Sequence, residues 1–290
     1  SAALVRLKSL LSKFKPEVIH LHSSNPSIWY HRFIGDIPTV VTVHAPPSFY
    51  AVPQSMLETL WHDAAAITCV SEATRQAACP TSDSKSCVVH NGLRSPPPFA
   101  TSMKADITPP AILCLGRLVP EKGFDIAIRA FSIMLRTHPS AVLHLAGTGP
   151  ARRDLETLAD ELLPVQNYQF HGPIEPDQVP ALIAQSSFVF MPSTWAEPFG
   201  LVAVQTGQVG RPIVASHIGG LPEIVQNGVT GLLVPPGDVK ALAAAGNRLL
   251  DQAELCRSLG TAAQAHVNRC FSLSACASAY DEVYAQIDRS

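Results

Sequence analysis

Short β-branched runs alternate with helical stretches along this chain, and that alternation constrains its fold more than any other feature. In the first third, "VIHLH" (18–22), "TVVTVH" (39–44), "AAITCV" (65–70) and "SCVVHN" (86–91) read as strands. The helical patterns "SMLETLWHDA" and "SEATRQAA" fall between them. Short apolar runs bounded by turn signals suit strands buried on both faces of a parallel sheet. Residues 92–110, "GLRSPPPFATSMKADITPP", then break the pattern with five prolines. Proline fixes φ and lacks an amide proton, so this stretch stays extended and reads as a linker.

Beyond the linker the pattern restarts. Strands are expected at "AILCLGRL" (111–118), "AVLHLAG" (141–147), "YQFHG", "SFVFMP", "PIVAS" and "TGLLVP", with helices such as "FDIAIRAFSIMLRTH" and "ARRDLETLADELL" between them. Such alternation implies right-handed βαβ crossovers. The expected fold class is α/β, with two Rossmann-like doubly wound domains at 1–93 and 111–272, a Pro-rich linker at 94–110 and a C-terminal helix at 273–290. The first domain opens on a helix and holds about four strands against six in the second. It therefore reads as incomplete, lacking its opening strand or strands and leaving a sheet edge uncovered. The opening helix is amphipathic, with Leu4, Leu7, Leu10, Leu11 and Phe14 on one face and Arg6, Lys8, Lys13 and Lys15 as a solvated one. No clear basic amphipathic patch argues for peripheral membrane contact.

Hydrophobic residues make up 47% of the 290 and charged residues 15%, ample for two buried cores. A net charge of -2 gives no reason to expect nucleic acid, so an anionic ligand must be held by a local cluster of cations. The seven cysteines form no C-x-x-C pair, and their odd count cannot all close into bridges. Reduced core thiols in a cytoplasmic protein are the expectation. The N-terminus lacks the unbroken apolar core of a signal peptide.

Four segments could carry chemistry. "GRLVPEKGFD" (116–125) follows a strand, so it lies where doubly wound sheets bind ligands. Arg117 and Lys122 suit a diphosphate there, with a solvated basic turn as the alternative. "LAGTGPARRDLE" is a strand, a G-x-G turn and a helix, but the third glycine of a dinucleotide fingerprint is absent. Gly147 and Gly149 then either approach an anion or only make the turn. "WAEPFGLVAVQ" sets Glu197 ahead of a helix and Gln205 inside it. Glu197 either accepts from ligand hydroxyls or merely favours the helix dipole. His44 ends a strand and is either a backbone-bonded structural histidine or a functional one. His20 and His22 form an H-x-H without a third ligand at a recognisable spacing, so zinc is not expected.

Taken in order, "TVHAP", "ITCVSEATR", "VVHNGL", "LGRLVPEKGFDIAIRAF", "LHLAGTGP", "FHGPI", "MPSTWAEPFGLVAVQ", "PIVASHIGGLPEIVQNGVTGLLVPPGD" and "FSLSACASAYDEVY" resemble the retaining glycosyltransferases of family 4, with the two-domain GT-B fold. The resemblance spans nearly the whole chain. It implies a hexosyltransferase-like enzyme of carbohydrate biosynthesis that moves sugar from a nucleotide-diphosphate sugar to a hydroxyl acceptor, whether saccharide, lipid or small molecule. The donor would bind the second domain and the acceptor the first, with chemistry in the cleft between, and the C-terminal helix would return toward the first domain. Arg117 and Lys122 would hold the diphosphate. Glu197 would contact the transferred sugar, the amides at Phe199, Gly200 and Leu201 would face sugar and phosphate, and the backbone at Ile174 would meet the base. His44 would approach the reacting centre. No metal and no other cofactor are expected, because Arg117 and Lys122 supply the positive charge.

Two departures from the family pattern matter. The family's second motif glutamate, which bonds the ribose, is replaced by Gln205. An amide for a carboxylate predicts donor binding weakened by about 1 kcal/mol, roughly fivefold. A Gln205→Glu variant should therefore bind the donor nucleotide about fivefold more tightly. Unchanged affinity and turnover would refute that role. The family's N-terminal Gly-rich loop has no counterpart, which predicts nucleotide binding with poor sugar transfer. A catalytically impaired nucleotide-sugar-binding or partner-binding module of the same fold is thus the alternative. A sugar-nucleotide epimerase fits "EPFGLVAV" less well.

Overall fold

A computed structural model of the chain describes residues 2–22, 31–49, 53–79, 85–96 and 107–287. The chain forms two compact units, Ser1–Gly92 with Ser274–Ser290, and Leu93–Leu273. Each carries a parallel, Rossmann-like sheet.

In the first unit, helix α1 (Ala2–Phe14) leads into β1 (Ile19–His22) and β2 (Thr39–Val43). Then come α2 (Gln54–Asp63), β3 (Ala66–Cys69), α3 (Glu72–Ala78) and β4 (Ser86–Val88). The four strands pair in parallel in the order β1-β2-β3-β4. Side chains alternate across a strand, so β2 serves two cores. Val41 and Val43 pack with Leu57, Leu60 and Ile67. Val40 packs with Val89 and with Val283 of the final helix, α11 (Leu273–Ile287). Both faces are covered, which is why "TVVTV" is buried throughout. Helix α3 starts at Ser71, whose hydroxyl accepts from the Thr74 amide at 3.0 Å.

The opening helix corrects one expectation. Leu4, Leu7 and Leu11 are half-buried, but Leu10 is 42% and Phe14 67% exposed. Leu10 lies about 100° round the helix from Leu11, so a single inward face cannot hold both fully.

The second unit begins with Leu93, whose amide donates to Phe271 and whose carbonyl accepts from Leu273. The expected linker at 94–110 falls largely outside the described residues, at 97–106. The unit then runs β5 (Ala111–Leu115), α4 (Phe124–Met134), β6 (Val142–Ala146), α5 (Arg152–Leu162) and β7 (Tyr168–Gly172). It continues with α6 (Val179–Ala184), β8 (Phe188–Met191), α7 (Leu201–Gln208), β9 (Ile213–Ser216), α8 (Leu221–Ile224), β10 (Leu232–Val234), α9 (Val239–Asp251) and α10 (Ala253–Cys270). Its six parallel strands lie in the order β10-β9-β8-β5-β6-β7. Phe131, Met134, Leu143, Phe188 and Phe190 are fully buried around this sheet. Strand order reverses between β5 and β8, the place where open α/β sheets bind ligands beyond their carboxyl ends.

Candidate functional site

The loops after β5 and β8 meet at that reversal. After Leu115 the chain turns at Gly116, exposes Arg117 and makes a single 3-10 turn over Pro120–Lys122. Gly123 then starts α4. The Thr194 amide donates to the Glu121 carbonyl at 2.9 Å, fastening this loop to the one after β8.

The fastening brings Lys122 and Glu197 together across 75 residues. Lys122 Nζ lies 2.6 Å from Glu197 Oε2, with side chains only 17% and 10% exposed. The Ser193 hydroxyl donates to the same carboxylate oxygen at 3.3 Å, and the Lys122 ammonium sits 5.8 Å from the centre of the Trp195 ring. Arg117, by contrast, makes no ion pair among the described residues. A cavity of about 140 Å³, lined in part by Gly116, Arg117, Lys122, Ser193 and Val202, opens beside the pair.

Helix α7 points its N-terminus at the same place. Gly200, at φ 113, allows the sharp entry, and its carbonyl accepts from the amides of Ala203 and Val204, so the helix ladder begins only there and leaves the amides of Leu201 and Val202 pointing out of the helix start. Phe199 is 3% exposed and packs edge-on against Phe271, so its ring is committed to the core. Leu201 is exposed, and half-buried Gln205 lies one turn along the same face. Ile174, half-buried, follows β7 at the edge of the sheet, two strands from β5. The arrangement thus offers an exposed guanidinium, a paired ammonium, a buried carboxylate and the N-terminal amides of a helix at the strand ends. That set can bind an anion next to hydroxyl groups.

The family models match in two pieces. Residues 101–266 match "Glycosyl transferases group 1", and residues 1–95 match "Glycosyltransferase Family 4". The glycogen synthase of Mycobacterium tuberculosis is 31% identical over 302 residues, covering 97% of this chain and 72% of that protein. The chain belongs to the group 1 glycosyl transferases.

Within that group it is a family 4 glycosyltransferase of the GT-B fold. Another relative, the D-inositol 3-phosphate glycosyltransferase of Streptomyces griseus, is 35% identical over 181 residues, 59% of this chain and 38% of that one. Among solved structures, HepE from Anabaena in complex with UDP superposes with a TM-score of 0.83 at 22% identity, covering 97% of this chain and 81% of that one. Sucrose-phosphate synthase from Thermosynechococcus elongatus gives 0.82 at 25% identity, covering 99% and 77%.

Several residues that shape this candidate site carry no signal in the sequence. Ser193 and Trp195 lie within "MPSTWAEPFG", but nothing in that run marks their contacts to the Lys122–Glu197 pair. Gly219, at φ 58, seats the Glu197 backbone. A Cβ there would lie 2.3 Å from the Glu197 carbonyl oxygen, which also accepts from the Gly220 amide. Gly147 and Gly149 are explained by backbone contact: a Cβ on either would fall 1.8 or 2.3 Å from the carbonyl of Gly116 or Leu118. They are where the loop after β6 supports the Arg117 loop. A larger cavity of about 290 Å³, lined partly by Arg211, Cys256 and Arg257, opens at the other end of the strands and touches none of the assigned residues.

His44 belongs to the first unit, where it joins the H-x-H histidines. His22 Nδ1 is 2.8 Å from His44 Nε2, and the His20 and His22 rings stack at 4.5 Å. His20 has both nitrogens bonded, Nδ1 to the Tyr284 hydroxyl at 2.7 Å and Nε2 to the Thr42 hydroxyl at 2.6 Å. A neutral imidazole has one N–H, so one hydroxyl accepts from His20 and the other donates to it. Burial, and then the neighbouring His22 and His44, pull the His20 pKa down to about 4. Burial and then His22 lower that of His44 as well.

These shifts give a pH prediction. An unfolded histidine titrates near 6.5, so between about pH 6.5 and 4 the unfolded chain binds more protons than the folded one at His20. Stability at this site is therefore complete above pH 6.5 and declines as pH falls toward 4. Thermal unfolding of the first unit should move to lower temperature across that window, and a His20→Gln variant should show a flatter dependence. Parallel profiles for the two proteins would refute the assignment.

Proposed function

We propose that this chain is a retaining glycosyltransferase that moves a sugar from a nucleoside-diphosphate sugar to an acceptor hydroxyl. The observation that carries this reading is the meeting of Arg117, Lys122 and Glu197 with the α7 N-terminus at the β5/β8 reversal. Arg117 and Lys122 hold the diphosphate and neutralise it as it departs, supplying the charge that a divalent cation provides elsewhere. The amides of Phe199, Gly200 and Leu201, at the entry to α7, stabilise the same charge. Glu197 accepts from hydroxyls of the transferred sugar. Gln205 meets the ribose, and the backbone at Ile174 meets the base.

In the transfer, the bond from the anomeric carbon to the diphosphate oxygen breaks, and the acceptor oxygen bonds to that carbon on the same face. The acceptor's proton goes to the departing phosphate. His44 acts at the reacting centre, a role that rests on the family pattern.

The test is calorimetric titration of the chain with UDP, GDP and ADP, with EDTA present. The relatives motivate the choice: HepE was crystallised with UDP, and one Mycolicibacterium smegmatis relative is named as a GDP-mannose-dependent mannosyltransferase. One nucleotide should bind with one-to-one stoichiometry, and Arg117→Ala should weaken it by at least tenfold, the worth of a charge-assisted bond. Absence of binding by all three would refute the reading.

A further inference from the structure

The Lys122–Glu197 pair poses a problem for diphosphate binding. Its N–O distance is 2.6 Å, it is nearly buried, and Ser193 also holds the carboxylate. Glu197 therefore occupies the cation that a diphosphate needs. A diphosphate that draws Lys122 to itself must also leave a buried carboxylate facing a second anion, with only the Ser193 hydroxyl as its side-chain partner among the described residues. Low exposure keeps water from screening that repulsion.

We infer that Glu197 is a specificity-determining counterion that makes this site prefer a nucleoside-diphosphate sugar over the free nucleoside diphosphate. The inference rests on the donor-site reading above. An intact donor brings sugar hydroxyls, which donate to the carboxylate as Lys122 leaves it. The product diphosphate brings none. Once the sugar has gone, Glu197 loses its hydroxyl partners, competes again for Lys122 and speeds departure of the nucleotide. Arg117, exposed and outside any ion pair among the described residues, gives first attachment to either ligand. Lys122 makes the distinction between them.

The test compares the parent chain with Glu197→Gln and Glu197→Ala by titration with the nucleotide the parent binds and with the corresponding nucleoside-diphosphate glucose. Both variants remove the competing charge, one keeping the side-chain shape and the other discarding it. Thermal unfolding identifies any variant that fails to fold. Each folded variant should bind the free nucleoside diphosphate on the order of tenfold more tightly than the parent. The sugar nucleotide should gain less or weaken, so the preference falls or inverts. Equal or weaker binding of the free diphosphate by a folded variant would overturn the inference while leaving the donor site standing. A parent chain that binds no nucleotide would overturn both.

Discussion

A Lys122→Ala variant is expected to lose nucleoside-diphosphate affinity by about a hundredfold and to be less stable by about 3 kcal/mol. Both effects follow from one contact. Lys122 sits 2.6 Å from Glu197, and the two side chains are 17% and 10% exposed. Removing one member of a buried pair leaves the other charge without its compensation, which costs far more than the pair contributes. The stability loss should appear as a drop of several degrees in the melting midpoint of the second unit. The affinity loss is larger than from removing one cation alone, because the stranded carboxylate then repels the diphosphate. A Lys122→Ala/Glu197→Gln double variant separates the two effects. It should recover most of the stability and only part of the binding. A single variant as stable as the parent would show that the pair is solvated and energetically minor.

Gly147→Ala should be the most damaging single-methyl addition in the second unit, at about 4 kcal/mol or more. The glycine has φ 133, a conformation that side chains rarely adopt, and its new Cβ would fall 1.8 Å from the Gly116 carbonyl oxygen. Nothing there can yield cheaply. Gly116 donates to Ala146, Gly147 to Gly172 and Leu118 to Thr148, at 2.7–3.0 Å. Moving either strand of backbone breaks part of that ladder and displaces Arg117. Gly228 is the control, since it has φ 76 but nothing within 4 Å of its added Cβ. Gly228→Ala should cost only backbone strain, about 1 kcal/mol. Denaturant unfolding of the two variants measures the difference. Equal losses would mean that the strain at φ, and not the backbone contact, dominates at Gly147.

Much of this could be read along the chain. The runs "AILCL" and "FVFM" are apolar throughout because both faces of the sheet are covered, and their shortness between turn signals marks them as parallel strands. The turn residues after them place Arg117, Lys122 and Glu197 at strand ends, where a doubly wound sheet binds ligands. The N-terminal helix was less legible. Its apolar spacing places Leu10 and Phe14 near Leu4, Leu7 and Leu11, yet spacing does not say how wide a face the rest of the unit covers. Gly147 and Gly149 were visible as a turn, but their cause was not, because it lies in the backbone of Gly116 and Leu118.

The sequence by itself determined the element types, the two sheets and the residue chemistry available at their ends. Those depend on local periodicity, turn chemistry and burial on one or both faces, all of which act over a few neighbouring residues. Only the tertiary structure decided that β8 lies beside β5, with β6 and β7 on the other side. That order makes Lys122 and Glu197 an ion pair, though 75 residues separate them. Crossover order is set by how helices pack on the whole sheet, and no short stretch encodes it.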